Sequence, residues 1–298
     1  MSRFCSWVDC LQTFAAKPQV NVNIMNILFM GRKPIASIAL RYLVEQGLNV
    51  PAVVAPLPEE VNNETLYWRP LLRDTARELG IPVVTDESIY SWLNDPEARN
   101  QTSLDLSGLD CVISFLFWKK IKKPLLAFPK IGAFNFHPGL LPEFRGRRGY
   151  NFAILEDFTE YGATAHWMTE NFDMGDIIKT EIVPIEPSET ALSLEKKTQT
   201  ALMQLLQSVV SMLKSGKPLP RIPQKGGRSV TKKEMIQAMA VDTNDSAELT
   251  ERRIRAFWYP PHTGATISIN NKQYTLVDQS SLKTLGEYLH GKKGVKFE

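Results

Sequence analysis

The sequence predicts an α/β fold, namely a Rossmann-like, mostly parallel sheet with helices on both faces, followed by a small C-terminal α+β subdomain with a β-hairpin. From Met25 onward, short apolar runs of strand length alternate with segments whose apolar residues recur at helical spacing. This rhythm is typical of parallel sheets, because each parallel strand needs a long crossover connection, usually a helix. A single clear hairpin signal near the C-terminus indicates the subdomain.

The first half of the predicted sheet alternates regularly between strands and helices. The first helix begins at Pro34, because proline suits a first helical turn, and ends at Gly47. The second helix runs from about Tyr67 to Leu79, before Gly80. The predicted strands of this half are 27–30, 50–55 and 83–85.

The second half continues the series and ends in a long helix. A short helix is predicted from about Tyr150 to Glu156. The long helix covers roughly Ala191 to Leu213, where apolar residues recur at helical spacing until Gly216. The predicted strands of this half are 111–115, 132–136, 164–168 and 177–183.

A proline-rich segment at 217–223, followed by two glycines, predicts a domain boundary. Beyond it the sequence predicts a charged helix at 246–257 and a hairpin around Asn270 and Asn271, residues that accept positive φ values. The predicted organisation is therefore an N-terminal extension of unknown role, a large domain and a small domain, with boundaries 1–24, 25–222 and 223–298.

Composition narrows the class of protein. Of 298 residues, 43% are hydrophobic and 22% charged, as in ordinary globular proteins. The net charge of +3 favours no nucleic-acid partner, and no apolar run is long enough to span a membrane. Three sparse cysteines fit a reducing, cytoplasmic location, and neither they nor the scattered histidines form a metal-ligand pattern. We expect no metal.

The first turn of the sheet argues against hydride transfer. Only Gly31 stands between the first strand and the first helix, so the G-x-G-x-x-G dinucleotide fingerprint is absent. Ligands of such sheets nevertheless bind outside the carboxyl ends of the strands. Asn135 and His137 lie at one such end.

Three polar residues suit acyl transfer. An amide donor such as Asn135 can stabilise a tetrahedral oxyanion, and His137 can take a proton from an attacking amine or stabilise developing charge. Asp173 follows a later strand, and a nearby carboxylate would orient the ring and raise its pKa. We interpret His166 as a packed core histidine, and His262 and His290 as surface residues.

The segment from Asn135 to Gly146, Asn-Phe-His-Pro-Gly-Leu-Leu-Pro-Glu-Phe-Arg-Gly, resembles the first motif of the formyltransferase family. The segment from Thr164 to Ile178 is similar to the second, an Asp-x-Gly loop after a Thr-x-His strand. The resemblance implies transfer of a formyl group from N10-formyltetrahydrofolate to an amine, with Asn135, His137 and Asp173 as the catalytic triad. The chain departs from the family at Gly139, usually serine, and at Asp157, commonly glycine.

The resemblance also implies a folate pocket built from two loops, one after the fourth strand and one bearing the aspartate. The aromatic residues of the first loop suit a flat heterocycle, although Phe115 and Phe117 are equally consistent with a core position. The residues implied are Phe115, Leu116, Phe117, Trp118, Glu170, Asn171 and Phe172.

Segments near the C-terminus favour a particular acceptor. The segments 223–227 and 252–265 and the turn 145–150 are similar to those of sugar N-formyltransferases. A nucleotide-linked amino sugar, such as a dTDP-amino sugar of lipopolysaccharide or O-antigen biosynthesis, is the expected partner besides folate, and a homodimer is possible. Arg145, Arg147, Arg148 and Tyr150 are the predicted sugar-nucleotide contacts, since guanidinium groups match phosphate oxygens.

Three alternatives stay open at this point. Methionyl-tRNA formyltransferases carry a C-terminal barrel, so this chain would be one with a shortened C-terminal domain. A formyl-folate hydrolase would release formate without an acceptor. A non-catalytic folate- or nucleotide-sugar-binding protein would not need Asn135 or His137.

Overall fold

The computed structural model describes residues 24–57, 70–146, 149–260, 262–283 and 286. The predicted extension, apart from Ile24, lies outside the described residues. So do the start of the second predicted helix, Arg147, Arg148 and His290. No helix of the described part combines the length and the apolar character needed to cross a membrane.

Seven strands form one sheet in the order β3-β2-β1-β4-β5-β6-β7. The first five are parallel, whereas β6 pairs antiparallel with both β5 and β7. The mostly parallel α/β fold predicted from the sequence is confirmed. The strands are β1 Ile27–Gly31, β2 Val53–Val54, β3 Val83–Val84, β4 Cys111–Phe115, β5 Gly132–His137, β6 Glu160–Trp167 and β7 Ile177–Pro184.

Helices cover both faces of this sheet, as the continuous apolar strands require. On β1, Ile27 and Phe29 belong to one buried cluster, and Leu28 and Met30 belong to the other. The helices are α1 Pro34–Glu45, α2 Leu72–Glu78, α3 Asp86–Asn94, α4 Pro96–Asn100, α5 Lys123–Ala127, α6 Gly149–Leu155, α7 Ala191–Lys214, α8 Lys232–Met239 and α9 Ala247–Phe257.

The C-terminal part contributes the two helices α8 and α9 and the predicted hairpin, β8 Thr266–Ile269 and β9 Lys272–Thr275. Asn270 and Asn271 both have positive φ, as predicted for its turn. A third buried cluster joins α8 and α9 to α6 and α7 through Met235, Phe257 and Phe152. The C-terminal helices thus pack directly against the sheet domain, in a cluster that includes Tyr161 of β6.

Several elements differ from the sequence-based prediction. The strand predicted at 50–55 is only two residues long, and β6 begins four residues before the predicted position, at Glu160. Helices α3, α4, α5 and α8 were not predicted, because they are short. Their signals are mainly caps, such as the Thr85 side chain that accepts from the Ser88 N–H at the start of α3. Asp157 has φ 63°, which explains why glycine suits this position in the family.

Candidate active site

The register of three neighbouring strands brings polar side chains together. In β5, Asn135 lies opposite Ser114 of β4 on one side and opposite His166 of β6 on the other. His137 lies two residues further on β5, so it shares the Asn135 face of the sheet. All these positions are at the carboxyl end of β5, where ligands of parallel sheets bind.

Asp173 reaches the same point from the loop between β6 and β7. Its backbone is left-handed, with φ 54°, a conformation that aspartate tolerates better than most residues. The Gln224 side chain braces the loop by donating to the Asp173 carbonyl at 3.0 Å and to the Gly175 carbonyl at 2.6 Å. The loop therefore carries Asp173 back to the strand ends.

The Asp173 carboxylate is the centre of this cluster. Its Oδ1 lies 3.4 Å from Asn135 Nδ2, 3.5 Å from His137 Nδ1 and 3.4 Å from His166 Nε2. Its Oδ2 accepts the Gly146 backbone N–H at 2.9 Å. Burial alone would raise the pKa of Asp173, but His137, His166 and Gly146 outweigh it and hold this pKa well below its usual value. Asp173 is therefore ionised at neutral pH.

His137 is oriented by a backbone carbonyl. Its Nε2 lies 2.7 Å from the Phe144 oxygen, which can only accept, so Nε2 carries the hydrogen and Nδ1 faces Asp173. We expected the carboxylate to raise the pKa of His137. The net shift is downward, because burial penalises the charged ring more than Asp173 and Phe144 stabilise it, and His166 adds to the lowering. The ring starts neutral, with Nδ1 free to accept a proton.

A cavity of about 610 Å³ opens over the cluster, a volume typical of small-molecule sites. Asn135, His137, His166 and Asp173 all line it. Two further groups of residues line the cavity. The first comes from the loop after β4 and from the loop that leads to Asp173. The second comes from the β1–α1 turn, α6, α7 and the chain after α9. Within the described residues, no group of three metal-ligating side chains is placed to hold a metal ion.

The family model for formyl transferases matches residues 68–210, which include every catalytic candidate. The methionyl-tRNA formyltransferase of Geobacillus thermodenitrificans is 31% identical over 246 residues, or 82% of this chain and 75% of the relative. A second such enzyme, from Geobacillus sp. (strain WCH70), is 30% identical over 66% of this chain, which spans 60% of that relative. The chain belongs to the formyltransferase family. This membership confirms the enzyme class and the expected formyl donor, N10-formyltetrahydrofolate.

Solved structures share the fold of this formyltransferase. A 4-N formyltransferase from Francisella tularensis superposes with a TM-score of 0.67 at 18% identity, over 85% of this chain and 97% of that one. An N-formyltransferase from Helicobacter canadensis, in complex with folinic acid and dTDP-3-aminofucose, superposes with a TM-score of 0.64 at 21% identity, over 83% of this chain and 85% of that one. HypX from Aquifex aeolicus, in complex with tetrahydrofolic acid, superposes with a TM-score of 0.56 at 16% identity, over 84% of this chain and 37% of that one.

The predicted folate residues of the formyltransferase mostly line the cavity. Phe115 is the exception, because it is fully buried between the rings of Phe29 and Phe136 and belongs to the core. The lining residues among those predicted are Leu116, Phe117, Trp118, Glu170, Asn171 and Phe172.

The predicted sugar-nucleotide residues are placed differently. Tyr150 lines the cavity. Arg145 is not among the lining residues, and its guanidinium donates to Gln224 Oε1 at 3.0 Å and 3.3 Å, which ties the Arg145 turn to the Asp173 loop. Arg147 and Arg148 lie outside the described residues, so their role stays a prediction.

Several residues of this site were not predicted from the sequence. His166 is packed, as predicted, at 2% exposure, yet it contacts Asn135 and Asp173 and lines the cavity. Ser114, Lys33 and Glu195 also line it. The Thr-x-His pattern was a usable signal for His166, whereas Ser114 and Glu195 look like ordinary residues of a strand and a helix.

Restoring the serine usual in the family at Gly139 should reduce activity. A Cβ at this position would lie 2.9 Å from His137 Nε2 and 3.0 Å from the Phe144 oxygen, the two atoms of the bond that orients the ring. We expect Gly139→Ser to lower kcat by about 10-fold, because small displacements of a catalytic group are costly. Steady-state kinetics beside Gly264→Ala, a site with only ordinary contacts, tests this; unchanged kcat in Gly139→Ser would contradict it.

Proposed function

We propose that this formyltransferase moves the formyl group of N10-formyltetrahydrofolate to the amine of a nucleotide-linked amino sugar. The observation that carries the proposal is a second polar wall in the cavity, distinct from the predicted folate residues. We call it the acceptor wall and define it by Lys33, Tyr150, Glu195 and Tyr259.

The acceptor wall is a connected group of charged and aromatic side chains. Lys33 makes an ion pair with Glu195, whose side chain is buried, and lies 5.7 Å from the centre of the Tyr259 ring. The Tyr150 and Tyr259 rings are nearly parallel, at 14° with centroids 6.5 Å apart. Such a wall offers a cation, a carboxylate and two phenols, which suits the phosphates and hydroxyls of a sugar nucleotide better than an apolar acceptor.

Two features of Lys33 support a ligand-binding role. Its backbone φ is 71°, an unfavourable value for lysine, and such strain concentrates at functional sites. Burial alone would lower the pKa of Lys33, but Tyr150, Glu195 and Tyr259 outweigh it and raise this pKa. Lys33 therefore stays cationic over the physiological pH range.

The geometry of the cluster supports direct transfer. The sugar amine attacks the formyl carbon, and an Asn135 N–H stabilises the oxyanion that forms on the formyl oxygen. His137 Nδ1 takes the proton that the amine loses, and ionised Asp173 stabilises the resulting imidazolium. The bond from the formyl carbon to N10 then breaks as N10 receives that proton, so the histidine returns to its neutral state.

The comparisons support two acceptors. The structural neighbours include sugar N-formyltransferases, and the strands described after Ile222 form one hairpin. The relatives at about 30% identity are methionyl-tRNA formyltransferases, so methionyl-tRNA is the second candidate. We favour the sugar, because the acceptor wall places a cation, a buried carboxylate and two phenols inside the cavity.

The deciding experiment supplies 10-formyltetrahydrofolate with a panel of nucleotide-linked 3-amino and 4-amino sugars, and separately with methionyl-tRNA. Formylated product is followed by mass spectrometry, and formate is measured in a reaction without acceptor. We expect one amino sugar to be formylated. Formylation of methionyl-tRNA alone would overturn the proposal in favour of the second candidate, and release of formate alone would identify a hydrolase.

Glu195→Gln should specifically impair use of the acceptor. The change removes the carboxylate from the acceptor wall and leaves Lys33 without its charged partner, so we expect kcat/KM for the acceptor to fall about 10- to 100-fold, as for loss of a charge-assisted contact. The KM for the folate should stay within about twofold, because the predicted folate residues are untouched. Steady-state kinetics with each substrate varied in turn measures both effects.

The matched control is Glu189→Gln. Glu189 is also buried and pairs with a lysine, Lys197, but neither residue lines the cavity. Breaking either pair is expected to reduce stability, which thermal unfolding records for both variants. Equal losses of acceptor kcat/KM in the two variants would show that Glu195 acts only through folding.

A further inference from the structure

We propose that Ser114 is a positioning residue, which holds the Asn135 amide with its N–H group aimed at the reacting formyl oxygen. The inference rests on the role proposed above for Asn135 and does not depend on which amine is the acceptor. Ser114 lies on β4, outside both motifs, and is 2% exposed.

The contact between Ser114 and Asn135 follows from strand register. The two residues are direct partners in the parallel β4–β5 pair, and Ser114 Oγ lies 2.7 Å from Asn135 Oδ1. The hydroxyl donates to this oxygen, so the Asn135 NH₂ group points to the opposite side. There it meets His166 Nε2 at 3.0 Å and Asp173 Oδ1 at 3.4 Å.

The direction of these hydrogen bonds is set by the Asp173 carboxylate, whose oxygens can only accept. The Asn135 NH₂ group must therefore be the part of the amide that faces Asp173 Oδ1, and its second N–H is left for the formyl oxygen. His166 Nδ1 lies 2.8 Å from the Trp167 carbonyl oxygen, which can only accept, so Nδ1 carries a hydrogen. The donors therefore run from Ser114 to Asn135 and from Asn135 to Asp173, while His166 donates separately to the Trp167 carbonyl.

Turning the amide over would break this order. Asn135 Oδ1 would then face Asp173 Oδ1, so two acceptors would meet in a buried site. The Asn135 amide could also rotate only part of the way. The Ser114 hydroxyl opposes this rotation through its hydrogen bond to Oδ1. Without that hydroxyl, Oδ1 is left unsatisfied, and a buried unsatisfied polar group is costly enough to drive rearrangement.

Ser114→Ala should therefore lower kcat and leave the substrate KM values almost unchanged. A misplaced donor loses transition-state stabilisation but not ground-state binding, so we expect kcat to fall about 10- to 100-fold. Ser114→Thr keeps the hydroxyl and should retain kcat within about fivefold. Ser37→Ala removes another buried serine hydroxyl, which bonds the Pro70 carbonyl away from the site, and should change kcat less than about twofold.

A double-mutant cycle separates positioning from general structural damage. If Ser114 acts through Asn135, then adding Ser114→Ala to Asn135→Ala should change kcat by less than about twofold. An equal loss from Ser114→Ala in both backgrounds would overturn the proposal. So would a Ser114→Thr variant as slow as Ser114→Ala, if both unfold at the wild-type temperature.

A measurement that needs no acceptor substrate tests this inference separately from the proposed function. In protein labelled with ¹⁵N-asparagine, the Asn135 side-chain amide is the signal that Asn135→Ala removes. We expect Ser114→Ala to shift or broaden it, and Ser114→Thr and Ser37→Ala to leave it in place. An unmoved signal in Ser114→Ala contradicts the inference whether or not any amino sugar is formylated.

Discussion

Replacing Asp173 with asparagine should lower kcat/KM for formyl transfer by about 10²- to 10⁴-fold, the range typical of lost acid–base function. The carboxylate lies 3.5 Å from His137 Nδ1, and in the proposed mechanism it stabilises the imidazolium formed when the ring takes a proton. A carboxamide keeps the shape but not the charge. Single-turnover kinetics with saturating folate measures the chemical step directly.

The same variant makes a prediction about pH. In the wild type, the buried His137 has a lowered pKa, and Asp173 opposes that lowering. Activity that needs the neutral ring is present above this pKa and is lost as the pH falls through it, so the acid limb of kcat/KM should lie below about 6.5. Removing Asp173 should move the limb to still lower pH; movement to higher pH would exclude His137 as the base.

Asp176→Asn is the matched control for Asp173→Asn. It makes the same chemical change three residues along the same loop, where the carboxylate lies 3.7 Å from Arg221 and does not line the cavity. We expect kcat/KM within about threefold of the wild type, since exposed ion pairs contribute little. A loss as large as that of Asp173→Asn would point to loop disruption and not to catalysis.

Replacing Gly175 with alanine should disable the enzyme without touching a catalytic side chain. A Cβ at Gly175 would lie 1.9 Å from the Trp167 carbonyl oxygen and 2.7 Å from its carbon, so the loop must move away from β6. That loop carries Asp173, and the Trp167 carbonyl accepts from His166. We expect at least about a 100-fold loss of kcat/KM and about 1–3 kcal/mol of destabilisation.

Activity and urea unfolding measured on the same preparation test the Gly175 prediction. Gly264→Ala is the control, because the nearest atoms to its added Cβ are 3.6 Å away, an ordinary contact. The control should unfold within about 0.5 kcal/mol of the wild type. If Gly175→Ala kept wild-type activity, the close approach of the loop to Trp167 would have no role in placing Asp173.

Prediction from the sequence succeeded where local patterns carry the information. β4 begins and ends at the predicted residues, 111–115, and Asn135 and His137 stand at the carboxyl end of β5 as predicted. It left open the place of an aromatic residue that suits two environments. Phe115 and Phe117 alternate on one run, yet only Phe117 reaches the cavity, because Phe115 packs between Phe29 and Phe136.

The turn that contains Arg145 shows a second limit of prediction from the sequence. The Arg145 guanidinium suits a phosphate, but in this fold Gln224, 79 residues away, accepts its hydrogen bonds. A charged side chain in a loop carries no periodic signal of its partner, since the partner depends on how distant segments pack. The predicted boundary at 222 falls beside this residue, and Gln224 also braces the Asp173 loop across it.

The sequence by itself determined the alternation of strands and helices, the residue types of the proposed triad and the formyltransferase class, because periodicity and motif spacing are local properties. Only the tertiary structure decided which residues surround the triad. Strand register places Ser114 and His166 on either side of Asn135, and the packing of α7 against the β1–α1 turn pairs Lys33 with Glu195. Such contacts join residues up to 162 positions apart, and they form only when the whole sheet has been assembled.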